Sequence, residues 1–152
     1  MQINYFVLLI PLKTMKKTWL LILFISILFS CSDNSGSTKN PNIGNYHVDL
    51  YLETNLPLYN NLRYISNPVL VPNVGAQGII VMKVGDGMYT AFDAACPNQP
   101  ANTCAAMTID GINALCSCDK CTYSLFTGLG EKEYPMKQYR TEIVGSSVHV
   151  YN

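Results

Sequence analysis

The sequence predicts an all-β, mostly antiparallel domain over residues 43–152. After residue 42 its apolar residues fall in short runs that alternate with polar residues or end at glycine and proline. Two turn signals, Gly85-Asp86-Gly87 and Asp110-Gly111, connect such runs into hairpins. No stretch of ten or more residues beyond residue 31 has the apolar period of a helix.

The individual strands follow from apolar alternation and from the turn residues between them. In the first strand, Val48, Leu50 and Leu52 fall on one face, which is typical of a half-buried strand. Residues 57–61 are predicted to be a loop, and the closing hairpin turns at Gly145-Ser146. The strands are predicted at 47–53, 64–65, 69–71, 78–84, 88–92, 107–109, 112–115, 123–126, 139–144 and 147–151.

The N-terminal 31 residues have the pattern of a bacterial lipoprotein signal peptide. Lys16 and Lys17 precede an apolar run at 19–29, which is too short to cross a bilayer as a helix. The run ends at Cys31 in a sequence that resembles a lipobox, although an uncleaved signal anchor is the alternative. We therefore expect translation to start at Met15 and Cys31 to be lipidated.

This signal places the chain in the bacterial cell envelope, lipid-anchored and outside the cytoplasm. The polar segment at 32–42 is predicted to be a flexible tether between the anchor and the domain. Thiols tend to be oxidised in such a compartment, and this bears on the other five cysteines.

Composition and motifs exclude several functions. Lysine plus arginine equals aspartate plus glutamate, and no basic run extends beyond Lys16-Lys17, so nothing favours binding to nucleic acid. The sequence has no nucleophile elbow, His-Glu-x-x-His motif or phosphate loop. It therefore identifies no catalytic residue.

Five of the six cysteines lie within residues 96–128, in two groups separated by a predicted hairpin. The first group begins Cys96-Pro97-Asn98 and the second reads Cys116-Ser117-Cys118-Asp119, with 17 residues between them. The order of strands, cysteine loops and turns over roughly 78–151 resembles a Rieske [2Fe–2S] domain, especially a ferredoxin subunit. The resemblance implies a Rieske-like antiparallel β-sandwich or barrel with two cysteine-bearing loops.

The resemblance also implies a set of ligands, which this sequence keeps only in part. Rieske domains bind iron through Cys-x-His and Cys-x-x-His, separated by about 15–17 residues. Cys96 and Cys116 occupy the cysteine positions, but Asn98 and Asp119 occupy both histidine positions. A neutral amide is a poor iron ligand, and a carboxylate would lower the potential that two imidazoles raise.

No histidine elsewhere compensates for this loss. The chain contains only His47 and His149, and neither lies in a cysteine loop. By register both should face away from the core, so we interpret them as surface residues.

Several interpretations of the cysteines remain open, and disulfides are favoured in an oxidising compartment. Some Rieske domains connect their two loops by a disulfide, which by position implies Cys104–Cys118 here. Cys96 and Cys116 would then be free to form a second bridge, leaving Cys121 unpaired. In this interpretation the chain holds no cofactor.

The alternatives are metal or redox sites. An atypical [2Fe–2S] cluster would use Cys96 and Cys116, with its second iron held by some of Cys104, Cys118, Cys121 or Asp119. A four-thiolate zinc site is less favoured, because the spacing differs from that of zinc ribbons. The C-x-x-C spacing of Cys118 and Cys121 lacks the βαβ setting of thiol oxidoreductases.

We therefore expect an envelope lipoprotein whose Rieske-like domain is a disulfide-stabilised structural or interaction module. The alternative is a ferredoxin-like carrier with an atypical cluster. Either function implies attachment to a membrane through lipid, and a protein partner.

Overall fold

The computed structural model describes residues 40–101 and 103–152. The predicted signal segment with Cys31, and the tether up to residue 39, lie outside the described residues. No helix in the described part is long and apolar enough to cross a membrane.

The described residues form two antiparallel sheets. The larger sheet has the strand order β1-β9-β8-β4-β3-β2, and the smaller one has the order β5-β6-β7. The predicted all-β, antiparallel class with two cysteine-bearing loops is confirmed. The strands are β1 (Asp49–Glu53), β2 (Val69–Val71), β3 (Ile79–Gly85), β4 (Met88–Asp93), β5 (Thr108–Asp110), β6 (Asn113–Leu115), β7 (Thr122–Ser124), β8 (Gln138–Val144) and β9 (Ser147–Tyr151).

The β3–β4 hairpin buries side chains on both of its faces. Ile79 and Val81 belong to one core, in which they pack with side chains from the edge strands of the larger sheet. Ile80 and Phe92 point the other way, into a second core that contains four of the cysteines and the smaller sheet. Alternation along a strand places successive side chains on opposite faces, so one hairpin supports both cores.

The segment between β1 and β2 differs from its prediction. Residues 64–65 were expected to be a strand, but a short 3₁₀ helix at Asn60–Arg63 precedes them and Ile65 forms only an isolated bridge to Lys83. Leu62 in that helix is fully buried. Tyr64 itself is extended, but Ser66 has φ +64°, which ends the extended segment before a strand can form.

Gly128, which follows the smaller sheet, packs very closely against Phe92 of the larger sheet. Gly128 has φ +72°, and a Cβ there would lie 2.5 Å from Cε1 of Phe92. Only glycine combines this backbone conformation with so close an approach. The chain at Gly128 therefore packs directly against Phe92 in the second core.

Candidate functional site

The first cysteine loop connects β4 to β5, and a buried aspartate holds its start in place. Oδ2 of Asp93 accepts hydrogen bonds from the Ala76 N–H at 2.7 Å and the Tyr139 hydroxyl at 2.8 Å. Its other oxygen accepts from the Ala95 N–H at 2.9 Å. Burial, together with the neighbouring Asp93 carboxylate, raises the pKa of Tyr139 far above its usual value, so its hydroxyl remains a donor.

Two further segments contact this loop. The side-chain amide of Gln77 donates to the carbonyl oxygens of Ala101 and Cys104. Asn40 and Asn42 each donate a side-chain hydrogen bond to the Pro97 carbonyl, at 2.8 and 2.9 Å. The last residues of the predicted tether therefore lie against the first cysteine loop.

The second cysteine loop is a tight turn between β6 and β7. The Cys116 N–H donates to the Cys121 carbonyl and the Lys120 N–H to the Cys116 carbonyl, both at 3.0 Å. Oδ1 of Asp119 accepts from the Cys121 N–H at 3.0 Å. Lys120 has φ +59°, which closes the turn. Asp119 thus has a local structural function inside the turn.

Two disulfides join the loops. Cys96 is bonded to Cys116 and Cys104 to Cys118, with Cα–Cα separations of 5.5 and 6.0 Å. This pairing matches the favoured interpretation of the sequence, in which Cys121 remains a free thiol. Burial and the nearby Asp119 carboxylate raise the pKa of the Cys121 thiol, which keeps it protonated.

The two disulfides lie in contact with each other. Sγ of Cys104 is 3.3 Å from Sγ of Cys96 and 3.8 Å from Sγ of Cys116. These three sulfurs are the one group of potential metal ligands found in the described part of the chain, all within 4.8 Å of one another. Cys118 is the exposed member of the four, whereas the other three are buried.

Asn98 stands where the Rieske pattern has its first histidine. In the structure it connects the first cysteine loop to a segment that is distant in sequence. Its amide donates to the Tyr134 carbonyl and to the Tyr123 hydroxyl, both at 2.9 Å. Its oxygen accepts from the Tyr134 N–H at 3.0 Å. The carboxamide thereby uses both donors and its acceptor within the protein.

These contacts decide whether the residues present fit a Rieske cluster, which needs two thiolates and two imidazoles. They do not fit. Cys96 and Cys116 are bonded to each other, and Asn98 is hydrogen-bonded to Tyr134. Asp119 binds a backbone N–H of its own turn. Its second oxygen is buried without a hydrogen-bond partner.

The histidines lie away from these loops, and one prediction about them needs correction. His47 is exposed, as expected. His149 faces outward from β9, but its side chain is only 12% exposed because Tyr51 and Tyr151 stack on its two sides. It is a half-buried residue and not a simple surface residue.

The His149 ring is held by two carboxylates. Its Nδ1 lies 2.7 Å from Oε1 of Glu142, and its Nε2 lies 2.8 Å from Oδ1 of Asp49. Hydrogen bonds to Glu142 and Asp49 raise the pKa of His149 above its usual value. The group connects β1, β9 and β8 on the outer face, remote in the fold from the cysteines.

Sequence reasoning missed several of the residues that hold the two cysteine loops. Asp93, Gln77 and Tyr134 hold the loops but belong to no cysteine motif. Asp93 could have been identified, because it lies between an apolar strand and Ala94-Ala95, where residues are expected to be buried. A charged residue at a buried position needs hydrogen-bond partners. Gln77 and Tyr134 could not have been identified, since their partners are distant in sequence.

The fold and site define a small antiparallel β domain whose two cysteine loops are joined by adjacent disulfides. Neither a known protein family nor a curated protein matches the sequence. A chain from the complex of reduced oxygenase and oxidized ferredoxin in carbazole 1,9a-dioxygenase aligns with a TM-score of 0.45 and 18% identity. That alignment covers 71% of this chain and 94% of the other.

A second solved structure aligns similarly. It is the ferredoxin of carbazole 1,9a-dioxygenase from Nocardioides aromaticivorans IC177, with a TM-score of 0.44 and 14% identity over 70% of this chain and 98% of the other.

Proposed function

We propose that the chain is an envelope lipoprotein whose Rieske-like domain holds no cluster and serves as a disulfide-stabilised structural or interaction module. One observation carries this proposal. Asn98, at a histidine-ligand position of the resembled family, is committed to three hydrogen bonds that fasten the first cysteine loop to Tyr134 and Tyr123. The position contributes to the stability of the fold, and an amide there is a poor iron ligand.

The disulfides support the same function. The Cys96–Cys116 bridge joins residues 20 apart in sequence, and the Cys104–Cys118 bridge joins residues 14 apart. In the chain-entropy model, either bridge taken alone adds about 3 kcal/mol to the free energy of unfolding. Such bridges persist in oxidising compartments, which agrees with the lipoprotein signal ending at Cys31. The envelope location rests on that signal alone.

Exposed apolar side chains support a protein partner. Around the smaller sheet and the turn that follows it, four large apolar residues are more than a third exposed: Ile109, Ile112, Phe126 and Leu129. They lie close in sequence to the cysteine loops. A rigid, disulfide-joined pair of loops would present such side chains in a fixed arrangement, which lowers the entropic cost of binding.

Metal analysis and thiol mapping test the proposal together. The full chain is purified in detergent without air or reductant. Iron and zinc are quantified per chain, and labelled thiols are quantified for each peptide after digestion. We expect no stoichiometric metal, and Cys121 as the one labelled cysteine beyond residue 40 after denaturation. Iron at about two atoms per chain, or free thiols at Cys96 and Cys116, would overturn the proposal.

A ferredoxin-like electron carrier with an atypical cluster is the second candidate. The observation that favours it is the grouping of the Cys96, Cys104 and Cys116 sulfurs within 4.8 Å of one another. In that case the anaerobic protein is coloured, and Cys96→Ser loses the visible absorption together with the iron. About one zinc per chain would instead indicate a structural metal site.

A further inference from the structure

The Cys104–Cys118 disulfide has one exposed and one buried end. Cys118 lies on the exposed side of the second loop, whereas Cys104 is 7% exposed. Cys118 is thus the end of this bridge nearer to solvent, where a thiolate arriving from solvent would attack. Attack on one sulfur of a disulfide expels the other, so Cys104 is the leaving group, and it is released inside the protein.

The position of Cys104 gives that leaving group a second disulfide to act on. Its sulfur lies 3.3 Å from the Cys96 sulfur and 3.8 Å from the Cys116 sulfur. The Cys104 sulfur is almost as close to one sulfur of that bridge as to the other, so it lies beside the bond. In-line attack on Cys96 therefore requires the first cysteine loop to shift once the Cys104–Cys118 bridge has opened. Stabilisation by cross-linking would need no contact between the two bridges, because a bridge stabilises by constraining the unfolded chain.

We infer that the two cysteine loops form a thiol–disulfide exchange site that accepts two electrons from a dithiol, with Cys118 as the entry point and Cys104 as the relay. The inference rests on the proposed function, in which all four cysteines are oxidised. The substrate class is a protein dithiol in the same compartment, whose thiolate can reach an exposed loop but not the buried Cys96–Cys116 bridge.

The exchange balances in three steps. A partner thiolate attacks Cys118 Sγ, which forms a mixed disulfide and releases Cys104 as a thiolate. The second partner thiolate attacks the partner sulfur of the mixed disulfide, so the partner leaves oxidised and Cys118 becomes a thiolate. Cys104 attacks Cys96 Sγ, which forms a Cys96–Cys104 disulfide and releases Cys116. The two protons lost by the partner end on Cys116 and Cys118.

Limited reduction followed by mass spectrometry tests this sequence. The full chain in detergent is treated with substoichiometric dithiothreitol, quenched in acid, alkylated and digested. We expect labelled Cys116 and Cys118 to accumulate together with a peptide in which Cys96 and Cys104 are joined by an internal disulfide. Cleavage before Asp110 separates that peptide from Cys116 and Cys118. Absence of the internal disulfide, with Cys104 and Cys118 labelled instead, would overturn the relay.

Two variants sharpen the test. In the double variant Cys104→Ser with Cys118→Ser, reduction of the Cys96–Cys116 bridge should slow by about ten-fold because the exposed entry is gone. Cys121→Ser is the matched control and should leave the labelling order of the wild type unchanged. An unchanged rate in the double variant, or a changed order in the control, contradicts the inference.

Labelling before any dithiothreitol is added separates the two proposals. If the four cysteines react at that stage, the proposed function itself fails. If they are paired and no Cys96–Cys104 peptide forms on reduction, only the exchange activity fails. The wild-type result does not depend on whether the double variant folds.

Discussion

Replacing Asn98 by alanine should destabilise the domain strongly, although the residue lies in a loop. The change removes the hydrogen bonds to the Tyr134 carbonyl, the Tyr134 N–H and the Tyr123 hydroxyl. At about 1 kcal/mol net for each, with a further cost for the half-buried backbone groups left unpaired, the free energy of unfolding should fall by about 2–4 kcal/mol.

Urea unfolding of the oxidised protein measures this loss. For a domain of this size we expect the midpoint to fall by about 1–2 M urea with an unchanged slope. Asn67→Ala is the matched control, because Asn67 is exposed and donates a single hydrogen bond to the Ile65 carbonyl at 2.9 Å. It should cost less than about 0.5 kcal/mol.

A shift for Asn98→Ala no larger than that of Asn67→Ala would refute the reasoning. The amide would then contribute nothing to the attachment of the first loop to Tyr134. The asparagine at this position would have to be explained by binding instead. The slope provides a second check, because a changed slope would mean that the variant alters the denatured or native ensemble and not one set of contacts.

Two further predictions use matched pairs within the chain. Gly128→Ala should lower the free energy of unfolding by several kcal/mol, because a Cβ would lie 2.5 Å from Phe92. Gly111 has a similar φ of +57°, but a Cβ there would have nothing within 4 Å, so Gly111→Ala should cost only about 1–2 kcal/mol of backbone strain. Equal losses in thermal unfolding would contradict this packing. Because the pKa of His149 is raised in the folded state, protonation of its ring increases the free energy of unfolding. This increase is complete below the usual imidazole pKa and is lost as pH rises through the raised value. Urea midpoints between about pH 5 and about pH 9 should show that loss in the wild type and in His47→Gln, but not in His149→Gln.

The hairpins could be predicted because their signals are local. Gly87 and Gly111 both have positive φ in the structure, at +69° and +57°, and both were identified as turn residues from the sequence. The 3₁₀ helix could not, because it depends on the burial of Leu62 against strands that are distant in the chain. Local propensity carries no information about such long-range burial.

The candidate site was predictable in its cysteines but not in its supports. The spacing of the cysteine groups located both loops, since a hairpin between them brings their ends together. The structural function of Asn98 was not accessible, because Tyr134 lies 36 residues away and nothing in either neighbourhood indicates the pairing. Hydrogen bonds between loops are set by tertiary geometry, which the residue pattern does not encode.

The two-sided burial of the β3–β4 hairpin has a consequence for cooperativity. Ile79 and Val81 pack into one core while Ile80 and Met82 pack into the other, so unfolding of this hairpin disrupts both cores at once. The amide protons of this hairpin should therefore exchange only through global unfolding. Reduction of the cysteine loops would loosen that end of the domain, while this hairpin keeps the larger sheet folded.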